Sequence, residues 1–139
     1  MADDLKIAIA SSVSSLRAQS TRMRVLSENL ANATATASAE DGEPYRRKIV
    51  SFKAELDRAS GASLVHVEQI SRDKSPFPLQ HDPGHPAADA NGNVKMPNVN
   101  SLVELADMRE SSRSYEASLQ VVKQAREMIG ELVDLLRAK

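Results

Sequence analysis

The chain contains no cysteine and no tryptophan. The first absence excludes disulfides and thiolate zinc sites, and leaves the redox compartment open. Aromatic residues are scarce: Tyr45, Phe52, Phe77 and Tyr115 are the only four. A compact core would therefore lack the large side chains that usually dominate burial. Charge of one sign is lacking too, with 18 basic against 19 acidic residues and a net charge of -1. Nothing in that balance draws the chain to nucleic acid or to an anionic membrane. No apolar run approaches the roughly twenty residues of a membrane-crossing helix, so direct membrane insertion is not expected. The start, Met1-Ala-Asp-Asp4, is acidic and lacks the basic-then-apolar layout of a cleavable signal. Any export is expected to follow a route that reads no such signal.

Signatures of catalysis are missing as well. There is no glycine-rich phosphate loop, no nucleophile elbow and no paired acids in a cleft pattern. The expectation is a non-enzyme without cofactor, catalytic residue or small-molecule substrate. His81-Asp82-Pro-Gly-His85 is the one cluster that suggests a metal. Two histidines four apart share a helix face, but Pro83, Gly84 and Pro86 forbid that helix. The expectation is a turn-rich loop and no metal site. A small metal enzyme using His66, His81 or His85 is a rival reading.

Proline is absent from both ends of the chain. All six prolines, four of the five glycines and all three histidines lie between 42 and 97. After Pro97, Ser101-Leu-Val-Glu104 reads as a capping box. From there an apolar seam steps by three and four: Leu105, Met108, Ser112, Tyr115, Leu119, Val122, Arg126, Ile129, Val133, Leu136. A second seam runs beside it through Ser118, Val121, Ala125, Met128, Leu132 and Leu135. Two adjacent seams make a face too wide for one partner helix. At about 1.5 Å per residue the helix is a rod of roughly 55 Å, far longer than the three turns usual in a compact domain. Much of its burial is expected to come from other chains.

Residues 4–31 form a second helical pattern, with the seam Leu5, Ile9, Ser12, Leu16, Gln19, Met23, Leu26, Leu30. Residues 32–43 lose the periodicity and read as an extended linker. Within 44–98, Tyr45 to Leu56 and Ser63 to Ile70 show partial alternation, and Gly61 lies between them, so a β-hairpin is expected. Beyond Ser75-Pro-Phe-Pro78 the chain reads as loop to Asn98, with a tight turn at Asn91-Gly92. The expected layout is mainly α: an N-terminal helix segment 1–31, the linker, a β-containing insert 44–98, and a C-terminal helix segment 99–139. The long helices are expected to pack as a coiled-coil-like bundle in an assembly, with the insert as a decoration between them.

Ser20-Thr-Arg-Met-Arg-Val-Leu-Ser-Glu-Asn29-Leu-Ala-Asn32-Ala resembles the N-terminal signature of the bacterial flagellar rod and hook axial family. Three further stretches narrow the resemblance to a proximal-rod subunit. They are Pro44-Tyr-Arg-Arg-Lys48, His81 to Val94, and Met96-Pro-Asn-Val-Asn100 leading into Ser112-Arg-Ser-Tyr-Glu116. The resemblance implies a structural subunit of the basal-body rod, exported by the flagellar type III apparatus and assembled in the periplasm. Its implied partners are copies of itself, other rod proteins, and membrane-ring and rod-adaptor proteins. It implies a drive shaft and export channel built from the terminal helices, the C-terminal one on the inside. One departure is the run Ser11-Ser12-Val-Ser14-Ser15, where family members often carry a glycine.

The residues expected at subunit interfaces are Leu16, Met23, Leu26, Asn29, Leu30 and Asn32 in the first helix. In the last they are Leu105, Met108, Tyr115, Leu119, Val122, Ile129, Val133 and Leu136. For Asn29 and Asn32 the alternatives are helix termination and amides bridging to the backbone of a neighbouring subunit. The remaining rival is a soluble coiled-coil adaptor that dimerises through the C-terminal helix.

Overall fold

The computed structural model describes residues 2–40 and 42–137. Met1, Asp41, Ala138 and Lys139, at which the expected helix segments and linker start, pass or end, lie outside the described residues. Two long helices flank a small β region, as the proline distribution predicts. Helix α1 spans Ala2–Ala31 and α2 spans Ser101–Arg137. Strands β1 (Lys48–Leu56) and β2 (Ser63–Arg72) form a two-stranded hairpin.

Residues 79–95 are not all loop. Strands β3 (Leu79–His81) and β4 (Asn93–Lys95) pair antiparallel, with Gln80 opposite Val94. Three residues are too few to print an alternation in the sequence. The turn that joins them needs Gly92 at φ +78, because a Cβ there would lie 2.9 Å from Pro83. The linker also differs from expectation. Residues 32–34 and 38–40 are turned rather than extended, with Ala33 N–H bonded to Leu30 O and Gly42 N–H to Ala39 O. Small residues that spoil a helix are equally good at local turns.

The start of α2 corrects the capping box. Asn100, not Ser101, is the cap: its Oδ1 accepts from Leu102 N–H at 3.0 Å and Val103 N–H at 3.3 Å. Glu104 is released from capping and is fully buried.

The chain divides into two compact units, each drawing on α1, the middle region and α2. One comprises Met1–Met23, Ser51–Gln69 and Arg109–Lys139; the other comprises Arg24–Val50 and Ile70–Met108. In the first, buried residues are small: Ala18, Ala62, Ser111, Val122 and Ala125. The serine run of α1 makes the contacts here. Ser14 Oγ accepts from Val65 N–H of β2 at 3.0 Å, and Ser118 Oγ donates to Ser15 Oγ at 3.2 Å. The short hydroxyls satisfy an outer-edge amide of the hairpin and let α2 approach. In the second unit, Val25, Leu26, Ala87 and Val94 are buried, and so are the polar side chains of Asn29 and Glu104.

Candidate subunit interface and the polar knot beside it

Along α2 the most buried positions trace a single seam: Glu104, Met108, Ser111, Tyr115, Ser118, Val122, Ala125, Ile129, Leu132. The steps alternate four and three, the spacing of a face that meets one partner. It threads between the two expected seams and takes members of both. What it leaves outside is apolar. Leu105, Val121, Met128, Val133, Leu135 and Leu136 are exposed, Leu136 at 78% and Leu135 at 68%. At the other end of the helix Leu102 is 77% exposed. One side of the broad stripe is thus covered within the chain, and the flank stays in solvent.

The fourteen expected interface residues therefore separate. Leu105, Val133 and Leu136 are exposed. Leu16, Met23, Leu30, Met108, Tyr115, Leu119 and Ile129 are half-buried. Leu26, Val122 and Asn29 are buried within the chain itself. Asn32 is half-buried and ends α1, its side-chain amide and its backbone N–H both bonded to Glu28 O, at 2.8 and 3.1 Å. Arg126 is exposed, and a Cβ on Gly130 would meet nothing within 4 Å.

Asn29 neither terminates the helix nor adopts a left-handed backbone; it sits inside α1 at the centre of a polar knot. Its Nδ2 donates to Lys48 O and to Glu104 Oε2, each at 2.9 Å. Its Oδ1 accepts from Lys48 N–H and from Tyr45 Oη, each at 2.9 Å. All four hydrogen bonds of the amide are made, which a fully buried asparagine requires. The amide does bridge to backbone, but to β1 of its own chain.

Glu104 Oε1 accepts from Arg47 Nε at 2.5 Å. Arg47 also lies 3.6 Å from Asp73 and 3.8 Å from Asp107. Burial pulls the Arg47 guanidinium down, but its hydrogen bond to Glu104 and the three carboxylates outweigh that and hold it above its ordinary value. Lys48 Nζ pairs with Glu28. The Tyr45 hydroxyl is raised by burial, then by Glu28 and Glu104, against the opposing charge of Arg72. The Asp73 carboxyl is held low, first by the Ser75 hydroxyl and then by the Ser75 amide.

Arg46 and Asn98 complete the framework. Arg46 lies 4.1 Å above the Phe77 ring and donates to the carbonyls of Asp73 and Ser75. Asn98 Nδ2 donates to the same two carbonyls, and its Oδ1 accepts from Arg47 N–H at 2.8 Å. The insert is thus bonded to both helices through Tyr45, Arg47 and Lys48, and is more than a decoration. The sequence reading missed Glu104, Arg47 and Asp73 because their partners lie far along the chain.

The histidines have separate occupations. His81 Nδ1 is 3.3 Å from Asn93 Oδ1, while His85 contacts Thr36. Among the described residues no three His, Asp or Glu side chains converge as metal ligands.

Residues 90–135 match the family model for the flagellar basal body rod FlgEFG protein C-terminal region. The flagellar basal-body rod protein FlgC of Agrobacterium fabrum is 51% identical over 136 residues, which cover 98% of each chain. The chain belongs to the FlgC family of flagellar basal-body rod proteins. FlgC of Salmonella typhimurium is 40% identical over 116 residues, covering 84% of this chain and 86% of its own. FlgC of Bacillus subtilis is 37% identical over 139 residues, covering 89% and 93%. As an FlgC-family member the chain is a structural protein of the flagellar basal body, part of the rod that serves motility. Among the described residues no helix is long and apolar enough to cross a membrane.

Proposed function

We propose that this chain polymerises through α1 and α2 into the proximal segment of the rod, the drive shaft and export channel of the flagellum. Its partners are further copies of itself, other rod proteins, and membrane-ring and rod-adaptor proteins. The observation that carries the reading is the uncovered half of the α2 stripe. Leu105, Val121, Met128, Val133, Leu135 and Leu136 are exposed on a helix whose other apolar seam is already occupied. Removing apolar surface from water is worth about 25 cal/mol per Å², so a row of such residues drives helix association. Half-buried Leu16, Met23 and Leu30 of α1 and Leu119 of α2 are further residues expected to meet neighbouring subunits. Rigidity follows from interdigitation, since well-packed interfaces reach the density of protein interiors.

The knot serves this role by fixing the insert on the helices, so that a torque on one element reaches the others through buried hydrogen bonds. Sedimentation combined with circular dichroism of the purified chain, alone and mixed with other basal-body rod proteins, tests the reading. Co-sedimenting species are expected. A discrete dimer indifferent to those proteins would instead favour the coiled-coil adaptor.

A further inference from the structure

The turn over residues 82–88 has no part in the assembly reading, yet its histidine is held in a way that fixes where its proton sits. His85 is half-buried. The backbone N–H of Ala87 donates to His85 Nδ1 at 3.0 Å. A backbone amide can only donate, so Nδ1 is the bare nitrogen and Nε2 carries the hydrogen. Nε2 lies 3.2 Å from Thr36 Oγ1 and so donates to that hydroxyl. One flat ring thereby joins the turn between β3 and β4 to the segment that leaves α1. The Ala87 residue is only 8% exposed, so water is a poor substitute partner for its amide.

We propose that His85 is an acid-released clasp. In the neutral form the ring caps the Ala87 amide and holds Thr36. Protonation places a hydrogen on Nδ1, and two N–H groups then face each other across 3.0 Å. The ring must turn away, and because it is rigid it cannot leave Ala87 and keep its geometry at Thr36. The cavity at the ring is lined by Thr34, Thr36, Gln80, Asp82, Val94 and Met96. Asp82 is the only charged group among them. Its carboxylate attracts the imidazolium and therefore supports release. Histidine is the side chain whose ordinary charge change falls between pH 5 and 8.

The test is amide hydrogen exchange of the full-length chain by NMR at pH 8 and pH 5, each rate divided by the intrinsic rate at that pH. In the native sequence the Ala87 protection factor is expected to fall about tenfold on acidification, the size of one lost hydrogen bond to a buried donor. The Thr36 resonances should shift with the same midpoint. His85→Asn keeps an acceptor two residues before the Ala87 amide, as in an Asx turn, and carries no titrating group. Its Ala87 protection should be equal at both pH values, whereas His85→Ala should be poorly protected at both. Equal protection in the native chain at pH 8 and 5, or the same acid loss in His85→Asn, would overturn the clasp. A loss at Ala87 with no movement of Thr36 would overturn the coupled release.

Discussion

Asn29 in α1 donates its side-chain amide to Glu104 of α2 at 2.9 Å, and neither residue has any exposed surface. Seventy-five positions separate them in the chain. A buried carboxylate is costly unless it is paired and hydrogen-bonded, and Asn29 and Arg47 supply both. Removing Asn29 should therefore cost more than one ordinary hydrogen bond. Asn29→Ala leaves Glu104 and Lys48 with unmet groups, and a loss of about 3 kcal/mol is expected. The shift of the urea midpoint of the full-length chain measures it. A loss below about 1 kcal/mol would show that the knot adds little beyond ordinary polar contacts.

Tyr45 gives the knot an alkaline limit. Its hydroxyl is raised above the ordinary phenol value, first by burial and then by Glu28 and Glu104. A raised folded value means a contribution that is whole below about pH 10 and lost as pH rises through the folded value. Tyr45→Phe removes the bond to Asn29 and should be less stable at pH 8. Its stability should then fall less steeply than that of the native chain above pH 10. Unfolding free energies at pH 8, 10 and 11 compare the two.

The acid limit carries the opposite sign. The Asp73 carboxyl is held below 3.8 by the Ser75 hydroxyl and amide, with Arg47 adding to them. Its contribution is whole above that value and is lost as pH falls further, through the lower folded value. Asp73→Asn should be less stable than the native chain at pH 6, and the gap should narrow as pH falls below 3.8. A constant gap between pH 6 and pH 3 would assign the effect to packing.

Gly130 stands in an exposed stretch of α2, and a Cβ there meets nothing within 4 Å. Within the isolated chain no close approach requires a glycine. Gly130→Ala should therefore stabilise the helix by about 1 kcal/mol. Thermal unfolding followed by circular dichroism reads this. If the same variant assembles poorly, a neighbouring subunit comes close at that position.

Leu136 and Tyr115 should differ in kind. Leu136 is 78% exposed, so Leu136→Gln should leave the unfolding of the soluble chain within about 0.5 kcal/mol of native. It should nevertheless weaken assembly, read as loss of pelletable material with rod proteins. Tyr115 is half-buried on the inner seam, so Tyr115→Ala should impair both. Native assembly by Leu136→Gln would remove the end of α2 from the interface.

Much of the architecture was legible because it is periodic or punctuated. Apolar residues every three or four positions identified α1 and α2, and the confinement of proline to the middle set their limits. Gly61 between two alternating runs marked the β1–β2 hairpin. Short-range signals with several solutions were harder to read. Ser101 and Asn100 are both good caps, and only geometry chose Asn100. Strands of three residues, such as β3 and β4, leave no period to find.

By itself the sequence determined two long helices with more apolar face than one partner can cover, and a β-containing insert between them. Local spacing carries that information, because helix and strand periods are properties of neighbouring residues. Only the tertiary structure decided which seam of α2 turns inward, leaving Leu105, Val133 and Leu136 outside while Val122 and Ala125 are buried. It alone brought Asn29, Tyr45, Arg47, Asp73 and Glu104 together. Their hydrogen bonds and charges act over a few ångströms of space, and no spacing along the chain records which distant residues will come within that reach.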